Sequence, residues 1–470
     1  MATSSQRVLN AHNVRRDLRK PRLRRVRLHA IIVSGALFVS AGHSYGQFIV
    51  DQPQLTAPPW NAQKPFEPAP LPQLDDPSTR EPLAPEDTPV KSRIHPGYEV
   101  RGVRSGPWMF YPTATAGTFY DSNVFSSATN KQDDFAARFA AGLRAKSLWE
   151  RHGLDLQLST QSLLYRRHPG LNQTDVDFKG TGRLDIDHST QLLARVQAAY
   201  LHDEVGSLTS PAGAIEPTPY GFGSADVTAR KEFGRFTASV GARVDTYDYG
   251  STRAQNGSTI NQDARDGQVY TVHERIDYAF SEKAAVFASF ENNRRDFRGS
   301  PTASLDSNGY RALAGVDLEL THLIKGEFAA GYLKQSFESP TIGDISGPAY
   351  RVFLTWSPSR RLDIHFNAEQ IVTTTADTSV SGVLANNFQL GFDYEIRPNL
   401  VLSPLLIYEQ DHFKGQPRDD DVYAAEIRLK HSFNRVASAS LYYRYLRRDS
   451  SIVTNSYDKH LFGLNASVQF

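Results

Sequence analysis

Apolar residues recur at every second position in long runs, from about Trp108 to the C-terminal Phe470 of this 470-residue chain. In one such run, Phe135 and Phe139 have one parity and Arg138 has the other. A period of two indicates a strand whose two faces meet different surroundings. The runs extend over about 10 to 14 residues, whereas strands of globular proteins usually have about five or six. This length favours strands that cross a membrane.

The residues between the apolar positions are too polar for a dry core. Val176 and Phe178, for example, alternate with Asp175, Asp177 and Lys179. Burying such charges without partners is costly, whereas a watery interior solvates them while the apolar face meets lipid. After the N-terminal region, no stretch is apolar for the roughly 18 residues that a spanning helix needs. The pattern predicts an all-β fold, a transmembrane antiparallel up-and-down β-barrel.

The connections between the runs give the number of strands. Nine long polar loops, among them 374–387 and 411–421, alternate with eight tight turns rich in turn-forming or charged residues. With one strand entering and one leaving, the count is about 18 strands, and both ends lie on the short-turn side, which is periplasmic in bacterial barrels. The tight turns are Leu148–Gly153, Asp187–Thr190, Phe233–Phe236, Ser281–Ala284, His322–Gly326, Ser357–Arg361, Arg397–Asn399 and Asn434–Val436.

The N-terminal region has the features of an export signal followed by a tether. A basic run from Arg15 to Arg27 precedes a short apolar stretch and small residues at Ser44 and Gly46, which predicts a signal peptide over residues 1–46. An uncleaved anchor is the alternative, although about 14 apolar residues are few for a span. Residues 47–96 are proline-rich and predict a disordered periplasmic linker, either a docking arm for a periplasmic partner or an inert spacer. The barrel is expected over residues 97–470.

Composition excludes several classes of function. The formal net charge is only +1, so no overall field attracts nucleic acid, and the absence of cysteine excludes disulfides, thiolate metal sites and a cysteine nucleophile. No nucleophile elbow, metal-spaced histidine cluster or phosphate-binding loop occurs in the sequence. His202-Asp203 and Asp411-His412 fall on predicted strands 5 and 15, too far apart to form one acid–base site. We predict that the protein is not an enzyme, with no catalytic, cofactor-binding or metal residues.

The final predicted strand is the most specific local feature. Phe462, Leu464, Val468 and the terminal Phe470 share one face of it. A last amphipathic strand that ends in phenylalanine resembles the signal that the barrel-assembly machinery recognises in outer-membrane proteins. The expected partners are therefore this machinery, through the strand ending at Phe470, and the lipid of the outer membrane.

Charged residues of the polar face are candidates for the lining of a lumen. Facing rows of opposite charge set the ion selectivity of a pore, although the same residues could instead pair between neighbouring strands and only solvate the wall. The candidates are Arg138, Arg144, Arg183, Arg195, Arg243, Arg275, Arg311, Asp177, Asp185, Asp245, Asp277, Glu319 and Asp393.

Glu274 does not fit this scheme. It shares the parity of Val272 and Ile276, which places a carboxylate toward lipid halfway through the membrane. The sequence therefore predicts either a β-bulge near Glu274 or a different parity for its strand.

The segment Tyr120-Asp121-Ser122-Asn123-Val124-Phe125, after Tyr111-Pro112-Thr113, resembles a proteobacterial family termed putative outer-membrane β-barrel porins. The resemblance covers about residues 97–470 and excludes the proline-rich arm. It implies an outer-membrane location, and some family members are associated with exopolysaccharide production.

The predicted function is a porin-like channel for small hydrophilic solutes or a saccharide. An 18-stranded barrel is wide enough for an aqueous channel unless a loop or plug fills it. The alternative is a closed structural or secretion-complex barrel that supports exopolysaccharide export, with the proline-rich arm docking a periplasmic partner.

Overall fold

The computed structural model describes Val90, Lys91, Arg93, His95 and residues 97–298, 305–321, 323–338, 343–377, 380 and 382–470, with residues 320 and 321 in backbone only. The predicted signal peptide and most of the predicted proline-rich linker lie outside these residues. Within them, no helix is long and apolar enough to cross a membrane. The regular structure of the described residues is almost entirely strand, apart from three short 3-10 turns at Pro169–Leu171, Asp263–Arg265 and Val453–Asn455.

Eighteen long strands of 12 to 16 residues follow one another in the part of the chain that the structure describes. They are β1 Trp108–Asp121, β2 Asp134–Ser147, β3 Gly153–Tyr165, β4 Gln173–Asp185, β5 Thr190–Asp203, β6 Thr218–Phe233, β7 Phe236–Tyr249, β8 Gly267–Ser281, β9 Ala284–Phe297, β10 Ser307–Thr321, β11 Ile324–Phe337, β12 Ile345–Ser359, β13 Leu362–Thr373, β14 Gly382–Arg397, β15 Leu400–Lys414, β16 Asp419–Ser432, β17 Ala437–Ser450 and β18 Tyr457–Gln469.

The strands form a closed barrel. Each strand pairs antiparallel with the next along the chain, and β1 closes the sheet by pairing with β18, from Thr113↔Gln469 to Asp121↔Leu461. A short strand, Val103–Ser105, pairs with the start of β1, and a small hairpin, Thr252–Arg253 with Thr259–Ile260, lies in the loop after β7. The predicted all-β barrel of about 18 strands is confirmed, and both its ends lie on the short-turn side.

The alternation of the sequence becomes the two faces of the wall. On β2, Phe135 and Phe139 point outward and are each 52% exposed, whereas Ala136 and Arg138 point inward and are 1% and 3% exposed. Successive side chains of a strand project to opposite faces, so one parity meets the surroundings and the other fills the interior. The inward face is thus polar but also largely buried, which means that the interior is well filled with side chains.

Two loops predicted from polar composition are shorter than expected. We call the end of the barrel with the long loops its upper end. β14 begins at Gly382, and its ladder with β15 continues toward this upper end as far as the pair Gly382↔Lys414. β16 then begins at Asp419, so the connection between β15 and β16 contains only residues 415–418. Polar residues are tolerated on a strand above the hydrocarbon layer. Their appearance in the sequence therefore marks the end of the lipid-facing band and not the end of the strand.

The structure places Glu274 on the outer face of a regular strand. Glu274 lies midway along β8 and points outward, and its pairs with Phe290 and Val240 belong to regular ladders. The one register shift between β8 and β9 lies further down, between Ala279 and Ser281. Neither the predicted bulge nor a change of parity occurs, and the carboxylate does occupy the outer face at mid-height.

We expect Glu274→Leu to stabilise the barrel by about 1–2 kcal/mol, because a carboxylate facing lipid near the midplane is unfavourable. The measurement is the urea midpoint of unfolding in lipid bilayers. The matched control is Glu291→Leu on the inward face of β9. Since Glu291 pairs with Arg311 at 3.3 Å, its removal should lower the midpoint. An unchanged or lower midpoint for Glu274→Leu would show that this carboxylate does not meet lipid.

Candidate functional site in the barrel interior

The thirteen predicted lumen charges all lie on the inward parity of their strands, and most have partners nearby. Arg243, for example, pairs with Asp245 at 3.1 Å, and Arg183 with Asp185 at 3.2 Å. Each of these pairs joins residues two positions apart on one strand, where side chains of the same face are neighbours. Much of the inward charge is therefore neutralised within the wall. The remaining predicted residues are Arg138, Arg144, Arg195, Arg275, Arg311, Asp177, Asp277, Glu319 and Asp393.

Some inward charges make contacts across several strands. Glu327 of β11 accepts hydrogen bonds from Arg275 of β8 at 2.6 Å and from Arg351 of β12 at 2.8 Å. Arg275 also pairs with Asp277 at 2.7 Å. The sequence predicted Arg275 and Asp277 but not Glu327 or Arg351. A period of two identifies inward residues, but it does not tell which of them meet across the interior.

Residues 204–217, which connect β5 to β6, form an inner loop that lies inside the barrel. Leu208 packs in a buried cluster with residues of β13 to β18, on the far wall. Arg448 and Tyr457 donate hydrogen bonds to the Gly206 carbonyl at 2.8 and 3.1 Å, and Thr375 donates one to the Leu208 carbonyl at 2.9 Å. Apolar Leu208 within a polar loop was a signal in the sequence for this inward fold.

The backbone of the inner loop approaches its neighbours closely at Gly206. This residue has a φ of +80°, and a Cβ placed on it would lie 2.2 Å from the Cβ of Ser126. Ser126 also donates a hydrogen bond to the Val205 carbonyl at 3.2 Å. Only glycine accommodates both the left-handed conformation and this proximity.

A second inward element is the upper part of the β13–β14 hairpin. The ladder between β12 and β13 ends at the pair Arg351↔Glu369, so the residues of β12 above it pair with β11 alone. Pro348 lies on this free edge, where a residue without an N–H is tolerated. Above Glu369, side chains of both parities are buried in the hairpin, including Gln370 and Ile371. The hairpin therefore leans into the barrel toward the inner loop.

Beside these inward elements, the described residues enclose cavities, and we name two of them by their arginines. The Arg295 cavity, of about 500 Å³, lies between β7, β8, β9 and the end of β13. The Arg138 cavity, of about 620 Å³, lies between β1, β2, β3, β17 and β18. In the Arg138 cavity, Arg138, Arg444 and Lys459 face Asp121 and Glu204. The predicted residue Arg138 thus lines open space, whereas the sequence did not single out Arg295.

Burial changes the acidity of two loop carboxyls near these cavities. Burial raises the pKa of Glu204 above its usual value, and the Lys459 ammonium opposes that shift. Burial also raises the pKa of Asp266, although the backbone N–H of Tyr249 donates to this carboxyl and opposes the shift. Loss of water disfavours the charged form of a carboxyl. In the part of the chain that the structure describes, no group of three or more histidine, aspartate or glutamate side chains is arranged to hold a metal ion.

The short-turn end of the barrel carries a segment that we call the mouth segment. It consists of the described residues from Val90 to Ser105. Val90 is 3% exposed, and its N–H donates to the Asp363 carboxylate. Lys91 pairs with Asp393 at 2.9 Å. Arg93 and His95 contact Glu395 at 3.0 and 3.2 Å, and all three carboxylates lie at the short-turn ends of β13 and β14. The segment therefore runs from the start of β1 to a wall five strands away.

Comparison with known proteins agrees with this architecture. A family model described as "Putative beta-barrel porin 2" matches residues 95–470. No curated protein sequence matches the chain.

Solved structures to which the chain is similar include proteins of Pseudomonas aeruginosa and Acinetobacter baumannii. OpdL of Pseudomonas aeruginosa is 14% identical, with a TM-score of 0.40, over 77% of this chain and 99% of that chain. OccK2 (OpdF) of the same organism is 10% identical, with a TM-score of 0.43, over 77% and 98%. The siderophore receptor PirA of Acinetobacter baumannii is 7% identical, with a TM-score of 0.42, over 76% and 80%.

Proposed function

The chain belongs to the family of outer-membrane porins described as putative beta-barrel porin 2, and from this we propose that it conducts small hydrophilic solutes or a saccharide through its interior. The family places the protein in the outer membrane and makes it a porin-like barrel, not an enzyme. The observation that supports conduction is the inward face, which carries charged and polar side chains along the strands and borders two open cavities. Such a lining solvates a polar solute in transit, whereas an apolar one would exclude it.

Single-channel recording tests this proposal. Purified full-length protein in planar bilayers should give discrete conductance steps, and these should be small because the inner loop and the inward hairpin occupy part of the interior. Arg138→Gln should shift the reversal potential in a salt gradient toward cations, because it removes an inward positive charge. The matched control is Arg447→Gln, an exposed arginine on the outward parity of β17, which should leave the potential unchanged. No conductance despite verified incorporation would contradict the channel.

A closed barrel that supports exopolysaccharide export is the second candidate, and the filled interior favours it. The inner loop crosses to the far wall, and the mouth segment lies across the opposite end. For this function, the proline-rich arm would dock a periplasmic partner. Deleting residues 48–89 should then abolish polymer export. If the protein is only a channel, the same deletion should leave polymer export, conductance steps and selectivity unchanged.

For export and assembly, we propose that residues 1–46 are a cleaved signal peptide and that residues 47–96 are a periplasmic linker. We also propose that the barrel-assembly machinery recognises β18. The outward stripe of this strand supports this proposal, since Phe462, Leu464, Val468 and Phe470 are all exposed on one face.

A further inference from the structure

The Arg295 cavity combines two buried arginines with aromatic and aliphatic walls. Its lining includes the rings of Tyr247, Tyr249 and Phe297, and the aliphatic side chains of Val269 and Leu305. No carboxylate lines it among the described residues. Small-molecule sites are mostly apolar with a few polar groups that orient the ligand, and the Arg295 cavity has this composition.

Arg295, like Arg138, forms no ion pair with a carboxylate among the described residues, and Glu291 acts on it only from a distance. Arg295 is 8% exposed, it donates to the Val372 carbonyl at 3.0 Å, and its Nε has no partner among the described residues. Two neighbours on the inward face are already neutralised, since Arg311 pairs with Glu291 and Arg275 pairs with Glu327. A buried guanidinium without an anion is costly, and a carboxylate would remove that cost through two parallel hydrogen bonds.

A second guanidinium, that of Arg265, completes the wall but has its partners already. It lies 3.8 Å from the centre of the Tyr249 ring, and it donates to the Thr209 carbonyl at 3.1 Å and pairs with Asp203 at 3.4 Å. Asp203 therefore already neutralises Arg265, while Arg295 keeps a donor for a ligand.

The rings beside Arg295 form a stack. Tyr247 and Tyr249 lie 6.4 Å apart with their planes within 10°, and Tyr249 stacks on Tyr220 at 5.1 Å. A flat ring of a ligand packs well beside such rings, in offset or edge-on contact. The polar groups of the lining are few, which favours an apolar ring over a polyhydroxyl one.

We propose that the Arg295 cavity binds a small organic anion, with the carboxylate on Arg295 and a flat ring against the aromatic wall. The proposal rests on the channel function proposed above, because such a site would bind a solute during its passage through the barrel. It is independent of conduction in one respect, since binding can be measured whether or not ions pass.

The experiment is calorimetric titration of the folded full-length protein in detergent with benzoate. Benzamide, which has the same shape without the charge, and acetate, which has the charge without the ring, should each bind at least about tenfold more weakly. Arg295→Gln should weaken benzoate binding at least about tenfold, and Arg295→Lys should restore part of it. The matched control is Arg294→Gln, whose side chain lies on the outward face of the same strand and should not affect binding.

The outcomes separate the two proposals. Equal affinity for benzoate and benzamide, or equal loss in Arg294→Gln and Arg295→Gln, would overturn the anion site even if the channel conducts. Benzoate binding that depends on Arg295 in a protein without conductance would support the site and contradict the channel. Heat-modifiable migration on gels checks that each variant is folded, and Arg295→Lys keeps the test valid if the glutamine variant does not fold.

Discussion

In Glu395→Gln protein, a cysteine placed at Val90 is expected to react with a water-soluble thiol reagent at least about tenfold faster than in the otherwise unchanged Val90→Cys protein. Val90 is 3% exposed when the mouth segment is docked, so the thiol can react only after the segment leaves the wall. The chain has no cysteine of its own, and the introduced thiol is therefore the one reactive group.

The expected size follows from the contacts of Glu395. Its carboxylate pairs with Arg93 at 3.0 Å. Both side chains are largely buried, since Arg93 is 12% exposed and Glu395 is 7% exposed. A hydrogen bond to a charged group contributes about 1.5–3 kcal/mol, and each 1.4 kcal/mol changes an equilibrium by about tenfold. If the segment redocks faster than the thiol reacts, the rate of labelling follows the undocked fraction.

Two further variants make the test selective. Asp393→Asn should accelerate labelling less, because its partner Lys91 is half exposed and solvent weakens that pair. Glu99→Gln should change nothing, since Glu99 contacts Gly97 and Arg101 within the segment itself. Equal labelling rates in the Glu395→Gln and Glu99→Gln proteins would show that the ion pairs with the wall do not hold the segment.

Docking of the mouth segment bears directly on the function of the barrel. A segment that lies across the short-turn opening narrows the path of any solute, so the same Glu395→Gln protein should show larger conductance steps. A channel that is narrowed at one end by its own N-terminal chain and at the other by the inner loop would pass selected solutes slowly. The alternative, a permanently closed barrel, predicts faster labelling without any change in conductance.

The wall of the barrel could be predicted from the sequence because local pattern specifies it. The parity of Phe135 and Arg138 on β2 needs no knowledge of distant residues, and neither does the stripe that ends at Phe470. Glu274 also lies on the outward face that its parity predicts, although its charge suggested a bulge or a different parity. At this position the regular ladders with both neighbouring strands outweigh the polarity of one side chain.

The interior could not be predicted in the same way. The hydrogen bond from Arg295 to the Val372 carbonyl joins β9 to β13. The distance between these two strands depends on how far the β13–β14 hairpin leans inward. From the sequence, the inner loop was only one of the nine long polar loops, because the apolar residues Val205 and Leu208 are too few to form a period. Such contacts depend on the cross-section of the whole barrel, which the pattern of one strand does not contain.

Replacing Glu327 with leucine is expected to destabilise the folded barrel by about 3–5 kcal/mol. Glu327 is 5% exposed and accepts hydrogen bonds from Arg275 at 2.6 Å and Arg351 at 2.8 Å. Without it, Arg275 retains Asp277, but Arg351 is left in the interior with no carboxylate partner among the described residues. Removing one member of a buried ion pair costs more than the pair contributes, because the remaining charge is uncompensated.

Unfolding by urea in lipid bilayers measures this loss. The matched control is Asp317→Asn, which lies 4.0 Å from Arg275 and is 41% exposed, and it should cost no more than about 1 kcal/mol. The double variant Glu327→Leu with Arg351→Leu should recover most of the stability, because it removes the uncompensated charge together with its partner. If the double variant were as unstable as Glu327→Leu alone, the cost would come from packing at this position and not from the cationic side chain left behind. The hydrogen bonds of Glu327 with Arg275 and Arg351 would then contribute little to stability beyond the packing of these side chains.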